Sequence, residues 1–92
     1  MSAASPIDRP RLARGLRLQF EDAQQSWVLL YPEGMVKLNT PAAEILRRCD
    51  GQADVAMIVA DLERTFDTTG LHGEVTGFLT LAARQRWIEA VP

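Results

Sequence analysis

Residues 27–46, WVLLYPEGMVKLNTPAAEIL, constrain the fold more than any other part of the chain. Trp27 to Tyr31 are apolar at every position, which suits a strand in the middle of a small sheet. The sequence Tyr31-Pro32-Glu33-Gly34 then predicts a turn. Pro32 pre-sets the φ of a type I turn, and Gly34 falls where a three-residue hairpin loop needs a left-handed residue. The chain returns as a short strand over residues 35–38 and runs directly into a helix. Thr40 is the expected N-cap and Pro41 the first helical position, where its missing N–H costs nothing. A hairpin joined to a capped helix in this way calls for an antiparallel sheet with helices beside it.

Outside this stretch the periodicities are complementary. Leu16, Leu18 and Phe20 alternate with Arg17, Gln19 and Glu21, the mark of a half-buried strand preceding the central one. A helix over residues 41–49 turns Ala42, Ile45, Leu46 and Cys49 inward, with Gly51 as its C-terminal cap. Asp54 caps a second helix whose buried stripe is Val55, Ile58, Val59, Leu62 and Phe66. Leu71, Val75, Phe78, Leu79 and Ala82 mark a third helix, in which Gly73 and Gly77 each cost about 1 kcal/mol relative to alanine. Residues 86–91 fit either a continuation of that helix or a final strand. The expected class is α+β, a three-stranded antiparallel meander followed by three helices in a winged helix-turn-helix arrangement. Residues 1–11, with Pro6, Pro10 and few apolar side chains, read as a flexible arm, and residues 12–92 as one domain.

Reactive chemistry is sparse. Cys49 is the only cysteine and His72 the only histidine, and the acids are scattered without metal-ligand spacing. No glycine-rich phosphate loop follows a strand. The sequence therefore predicts no catalytic, metal or cofactor site, and so no enzyme. No apolar run approaches the roughly 18 residues of a membrane span, and the N-terminus has no apolar signal region, so the expected location is cytoplasmic, with no membrane partner.

The alternative use of such a fold is as a winged-helix DNA-binding regulator. Residues 21–92 carry six bases against eleven acids, while residues 1–20 carry four arginines and one aspartate. The recognition helix would offer Arg84 and Arg86 against Glu74, beside an acidic second helix. Such a surface repels phosphates before it attracts them, so no nucleic-acid partner is expected.

An outer strand of a meander keeps one row of N–H and C=O groups unpaired, which proteins either blunt or use to recruit an extended peptide. Residues 35–38 form such an edge. Met35, Val36 and Leu38 divide between core and peptide contact according to which face of the strand they occupy. The same edge, or an exchanged N-terminal arm, also suits a homodimer, so both a monomer and an edge-paired or arm-exchanged dimer agree with the sequence.

The block LLYPE…KLN…AAEIL..CDG, followed by VAMIVADLERTFD and FLTLAARQRWIE, resembles the PqqD family of pyrroloquinoline quinone (PQQ) biosynthesis. Order and spacing agree across residues 12–91, and the first block is the specific part. The resemblance implies a non-catalytic peptide chaperone without a cofactor, a recognition element for ribosomally synthesized and post-translationally modified peptides (RiPPs). Such a protein binds the precursor peptide PqqA. It presents PqqA to PqqE, a radical S-adenosylmethionine enzyme that joins a Glu and a Tyr of the peptide by a carbon–carbon bond. The resemblance further implies that the peptide adds as a strand to the third strand, against the third helix. The edge would then be Met35, Val36, Lys37 and Leu38, and the helix wall Val75, Phe78, Leu79 and Ala82. A proline at Val36 would test that edge if the Val36 N–H points outward. Two positions depart from the family pattern. Arg86 stands where relatives usually have Gly, and Gly34 where they often have a larger residue.

Overall fold

The computed structural model describes residues 7–91. The elements in chain order are β1 (Pro10–Leu12), β2 (Arg17–Glu21), β3 (Ser26–Tyr31), β4 (Gly34–Leu38), α1 (Thr40–Leu46), α2 (Val55–Thr65), α3 (His72–Arg84) and β5 (Ile88–Ala90). The antiparallel sheet β2-β3-β4 has the apolar β3 at its centre, and β1 pairs with β5 in a separate two-stranded ladder. This is the expected α+β meander with three helices, plus a small second sheet that the periodicities did not announce.

One face of the meander meets the helices. Leu18, Leu29 and Val36 are opposed across the three strands, as are Phe20, Trp27 and Leu38, and both rows belong to that face. Leu29 and Leu38 join Ala43, Ile45 and Leu46 of α1, Ile58 and Leu62 of α2, and Val75, Leu79 and Ala82 of α3 in one buried cluster. Arg48 ties α1 to α2 by reaching both Glu44 and Asp61. Partial burial of Glu44 works against its charge, but hydrogen bonds from Arg48 and Arg47 outweigh it and hold the carboxyl below its usual range.

Several local expectations change, each for a definite reason. The hairpin loop has two residues, Pro32 and Glu33, because Gly34 pairs with Tyr31 inside β4 and takes no left-handed φ. Asn39 replaces Thr40 as the N-cap of α1, since its Oδ1 accepts the Ala42 N–H at 2.9 Å. The helix ends at Leu46 rather than Cys49, and Gly51 does not cap it. Phe66 leaves the buried stripe of α2 and is 48% exposed beyond the helix end. α3 has no cap of its own; Glu63 of α2 accepts the Leu71 N–H instead.

Within residues 86–91 the helix does not continue, and Ile88–Ala90 form a short strand. Arg86 adopts φ 62°, its N–H donates to the Ala83 carbonyl, and the Trp87 N–H donates to the Ala82 carbonyl. These two bonds are the Schellman arrangement that stops a helix. The chain then turns into β5. Its partner β1 lies within the segment expected to be a flexible arm, so residues 10 and 11 are ordered by pairing with Ala90 and Glu89. Residues 1–6 of that arm lie outside the described residues.

Candidate peptide-docking edge

β4 ends the three-stranded sheet, with β3 on one side and no strand on the other among the described residues. Opposed residues of an antiparallel ladder alternate between pairs that exchange hydrogen bonds and pairs that do not. Pro32 has no N–H, so the terminal pair Tyr31 and Gly34 must be the hydrogen-bonded kind. Val36 with Leu29 and Leu38 with Trp27 follow as hydrogen-bonded pairs. Met35 and Lys37 are left with their N–H and C=O groups pointing to the open side. The Val36 N–H is thus occupied within the sheet, and a proline there would damage the fold's own ladder.

The side chains of β4 split by face. Met35 and Lys37 are exposed on the outer face, whereas Val36 is half-buried and Leu38 buried on the face toward the helices. On α3 the division is sharper. Phe78 is half-buried, but Val75, Leu79 and Ala82 are almost completely enclosed in the core cluster. Of the four wall residues expected from the sequence, only Phe78 keeps a substantial surface. The other three are core residues, because their 3.6-residue spacing is the packed stripe of the helix itself.

Two cavities lie at opposite ends of α3. Near the hairpin, Leu16, Tyr31, Val36, Arg86 and Trp87 border a space of about 390 Å³. Beyond the other end of β4, Pro41, Ile45, Leu62, Phe66, Leu71 and Val75 line an apolar space of about 330 Å³, with Glu44 and Glu74 also present. The hairpin end of β4 therefore faces the end of α3, and the residues after β4 face its beginning. Strand and helix run past each other in opposite directions. The Phe78 and Trp87 rings, 6.4 Å apart between centroids, add aromatic surface at the C-terminal half of α3. Pro41, Phe66 and Trp87 were not among the site residues expected from the sequence. The signal available was the apolar Phe66 next to a turn.

The remaining reactive groups are quiet. Burial pushes the Cys49 thiol up to about 12, which keeps it protonated and unreactive. The described residues contain no cluster of potential metal ligands, and no helix among them is long and apolar enough to cross a membrane.

The family model described as Coenzyme PQQ synthesis protein D (PqqD) matches residues 26–88. A curated protein of Pseudomonas aeruginosa (strain UCBPP-PA14) named PqqA binding protein is 52% identical over 90 residues, covering 97% of this chain and 98% of the relative. This chain belongs to the PqqD family. Among solved structures, the PqqD truncation of Methylobacterium extorquens PqqCD superposes with a TM-score of 0.71 at 33% identity, covering 95% of each chain. That protein is described as a functional and stand-alone RiPP recognition element. PqqD from Xanthomonas campestris matches with a TM-score of 0.55 at 32% identity, over 92% of this chain and 97% of that one. The PqqD assignment covers both strands of the hairpin, the three helices and the first residue of β5.

Proposed function

We propose that this PqqD-family chain binds the precursor peptide PqqA in PQQ biosynthesis, takes it up as an added strand on β4, and presents it to PqqE without itself catalysing a reaction. Relatives named as PqqA binding proteins support the choice of ligand. The observation that carries the docking mode is the open edge of β4, whose outward groups are those of Met35 and Lys37, together with the cavity in which Val36 of β4 meets Gln85, Arg86 and Trp87 at the end of α3. Backbone bonds to Met35 and Lys37 would hold the peptide, and side chains of the peptide would enter that cavity and meet Phe78. The peptide ligand can stay extended because the edge supplies the partners for its backbone.

The test is an amide chemical-shift titration with PqqA, run on the wild type, Lys37→Ala and Lys37→Pro. Proline at this position removes only an outward N–H, which edge strands tolerate, so the fold should survive. Shifts should concentrate at Met35, Lys37, Phe78 and Trp87. Lys37→Pro should bind at least about tenfold more weakly than Lys37→Ala, since one good hydrogen bond and its geometry are lost. Formation of the Glu–Tyr cross-link by PqqE should fall in step. A folded Lys37→Pro variant that binds as well as Lys37→Ala would remove β4 from the docking site.

A further inference from the structure

Four arginines are engaged by acids within the fold: Arg47 and Arg48 by Glu44, Arg48 and Arg64 by Asp61, and Arg11 by Glu89. Arg86 is not. Its guanidinium has no hydrogen bond or ion pair among the described residues, and the residue is exposed at the border of the cavity near the hairpin. Two backbone bonds at the helix end, donated by the Arg86 and Trp87 N–H groups, hold it at φ 62°. An arginine is strained in that conformation and a glycine is not, and residues kept under such strain gather at ligand sites.

The rest of the cavity border suits an anionic side chain with an apolar stem. Val36 and Trp87 supply apolar sides, while the Gln85 amide and the Tyr31 hydroxyl are further donors that no side chain or carbonyl among the described residues engages. The Tyr31 ring lies over Gly34, where a Cβ would be 3.9 Å from its oxygen, so the hydroxyl stands at the β4 edge itself. Glu33, at the exposed tip of the hairpin, is the one acid on the border. Register brings a ligand side chain to this spot. Residues opposite each other in a ladder share a face of the sheet. A strand added along Met35 to Lys37 therefore turns the side chain opposite Val36 to the face toward the helices, into the space that Val36 shares with Arg86.

We infer that Arg86 receives a carboxylate of the bound peptide, carried by an aspartate or glutamate that the added strand places on the face of Val36. The inference rests on the strand-addition reading above and adds to it the charge of one ligand position. A guanidinium can fork onto both carboxylate oxygens, which an ammonium cannot, and the partly enclosed cavity strengthens the pair relative to open water. Glu33 repels the same carboxylate and tempers the gain.

The test is a calorimetric titration of the wild type and Arg86→Gln with PqqA and with a series of PqqA peptides in which each Asp or Glu is changed singly to Asn or Gln. Glutamine keeps an apolar stem and the left-handed position and removes the charged fork, so urea unfolding of the two proteins should agree closely. Arg86→Gln should bind PqqA about tenfold or more weakly. One peptide of the series should lose a similar factor with the wild type and lose nothing further with Arg86→Gln, the mark of a direct pair. Arg86→Lys should recover only part of the affinity, and Glu33→Gln should tighten binding about twofold. Arg86→Gln binding PqqA as tightly as the wild type overturns the inference. Acid-to-amide losses that are the same with and without the guanidinium overturn it as well. Both results leave strand addition intact, since that reading fails on Lys37→Pro; a wild type that does not bind PqqA at all overturns the two together.

Discussion

β1 and β4 are both short strands, and their surroundings differ on every side. β1 has β5 along one side and the Asp50–Gly51 backbone along the other, where the Gly51 N–H donates to the Pro10 carbonyl at 2.9 Å. The Arg11 and Glu89 side chains close the ladder from above with a 2.7 Å ion pair, and the Ala13 N–H reaches the Trp87 carbonyl. β4 has β3 on one side only. The contrast separates two uses of the same backbone chemistry. A strand with backbone partners on both sides, as β1 has, is a clamp that joins the two ends of the fold; a strand with one row unpaired, as β4 has, leaves room for the added strand of the proposed docking mode. A similar division runs through α3, whose Val75, Leu79 and Ala82 belong to the core while Phe78 stays half-buried and Arg86 and Trp87, just beyond its end, border the cavity near the hairpin.

The largest expected effect tests that division on α3. Leu79→Ala should cost about 2–5 kcal/mol of stability, the range for emptying a buried leucine site. Its folded fraction should bind the peptide nearly as the wild type does. Phe78→Ala should show the reverse balance, with a smaller loss of stability and a larger loss of affinity. Urea unfolding and the peptide titration on both variants provide the comparison. Equal affinity losses would mean that the wall cannot be separated from the core.

On the clamp, Gly51→Ala should cost about 1–3 kcal/mol, because an L-residue is strained at φ 81° and the new Cβ would lie 2.7 Å from Val91 Cγ2. Thermal unfolding should show Tm falling by about 5–15 °C for a domain of this size. Peptide affinity in the folded protein should hold, since the atoms nearest the new Cβ belong to Val91 and Arg11 rather than to β4. Loss of affinity would show that the clamp positions the groove.

Much of this arrangement was legible in the sequence because it rests on local signals. Alternation gave β2, the apolar run gave β3, and the helical stripes of α2 and α3 named Ile58, Leu62, Val75, Leu79 and Ala82 as inward. Three residues of the α3 stripe that were also expected to line a groove, Val75, Leu79 and Ala82, are buried in the core. Periodicity identifies the face that packs, and the resemblance to PqqD proteins placed the groove on α3 without saying which of its faces looks outward. The β1–β5 ladder was illegible for a different reason. Its strands have three residues each and stand at opposite ends of the chain, so no local pattern records their pairing. Gly51 was assigned to the nearest helix end, whereas its partner Pro10 is distant in sequence. The hairpin register depended on whether Gly34 bulged or paired, a choice its neighbours on β3 make.

Arg86 belongs to both regions, and it carries the smallest expected effect on stability. It sits at φ 62°, ends α3, leads into β5 and borders the cavity near the hairpin. A left-handed conformation costs an ordinary residue about 1–2 kcal/mol, and glycine nothing sterically. Glycine also loses more freedom on folding, which offsets part of that gain. Arg86→Gly should therefore stabilise the chain by about 0.5–1 kcal/mol and raise Tm by roughly 3–8 °C. Arg86→Ala separates backbone from side chain, for it removes the guanidinium and keeps the strained position. Only the glycine variant should gain stability. If alanine gains as much, the cost lies in placing an arginine beside Tyr31 and Trp87 rather than in the turn. A peptide titration on the same pair of variants then reads the other side of the residue. Affinity that falls equally in both assigns the guanidinium to the groove. Affinity that changes only with glycine assigns the stiffness of the helix end to it, and couples the clamp to the edge that the clamp leaves open.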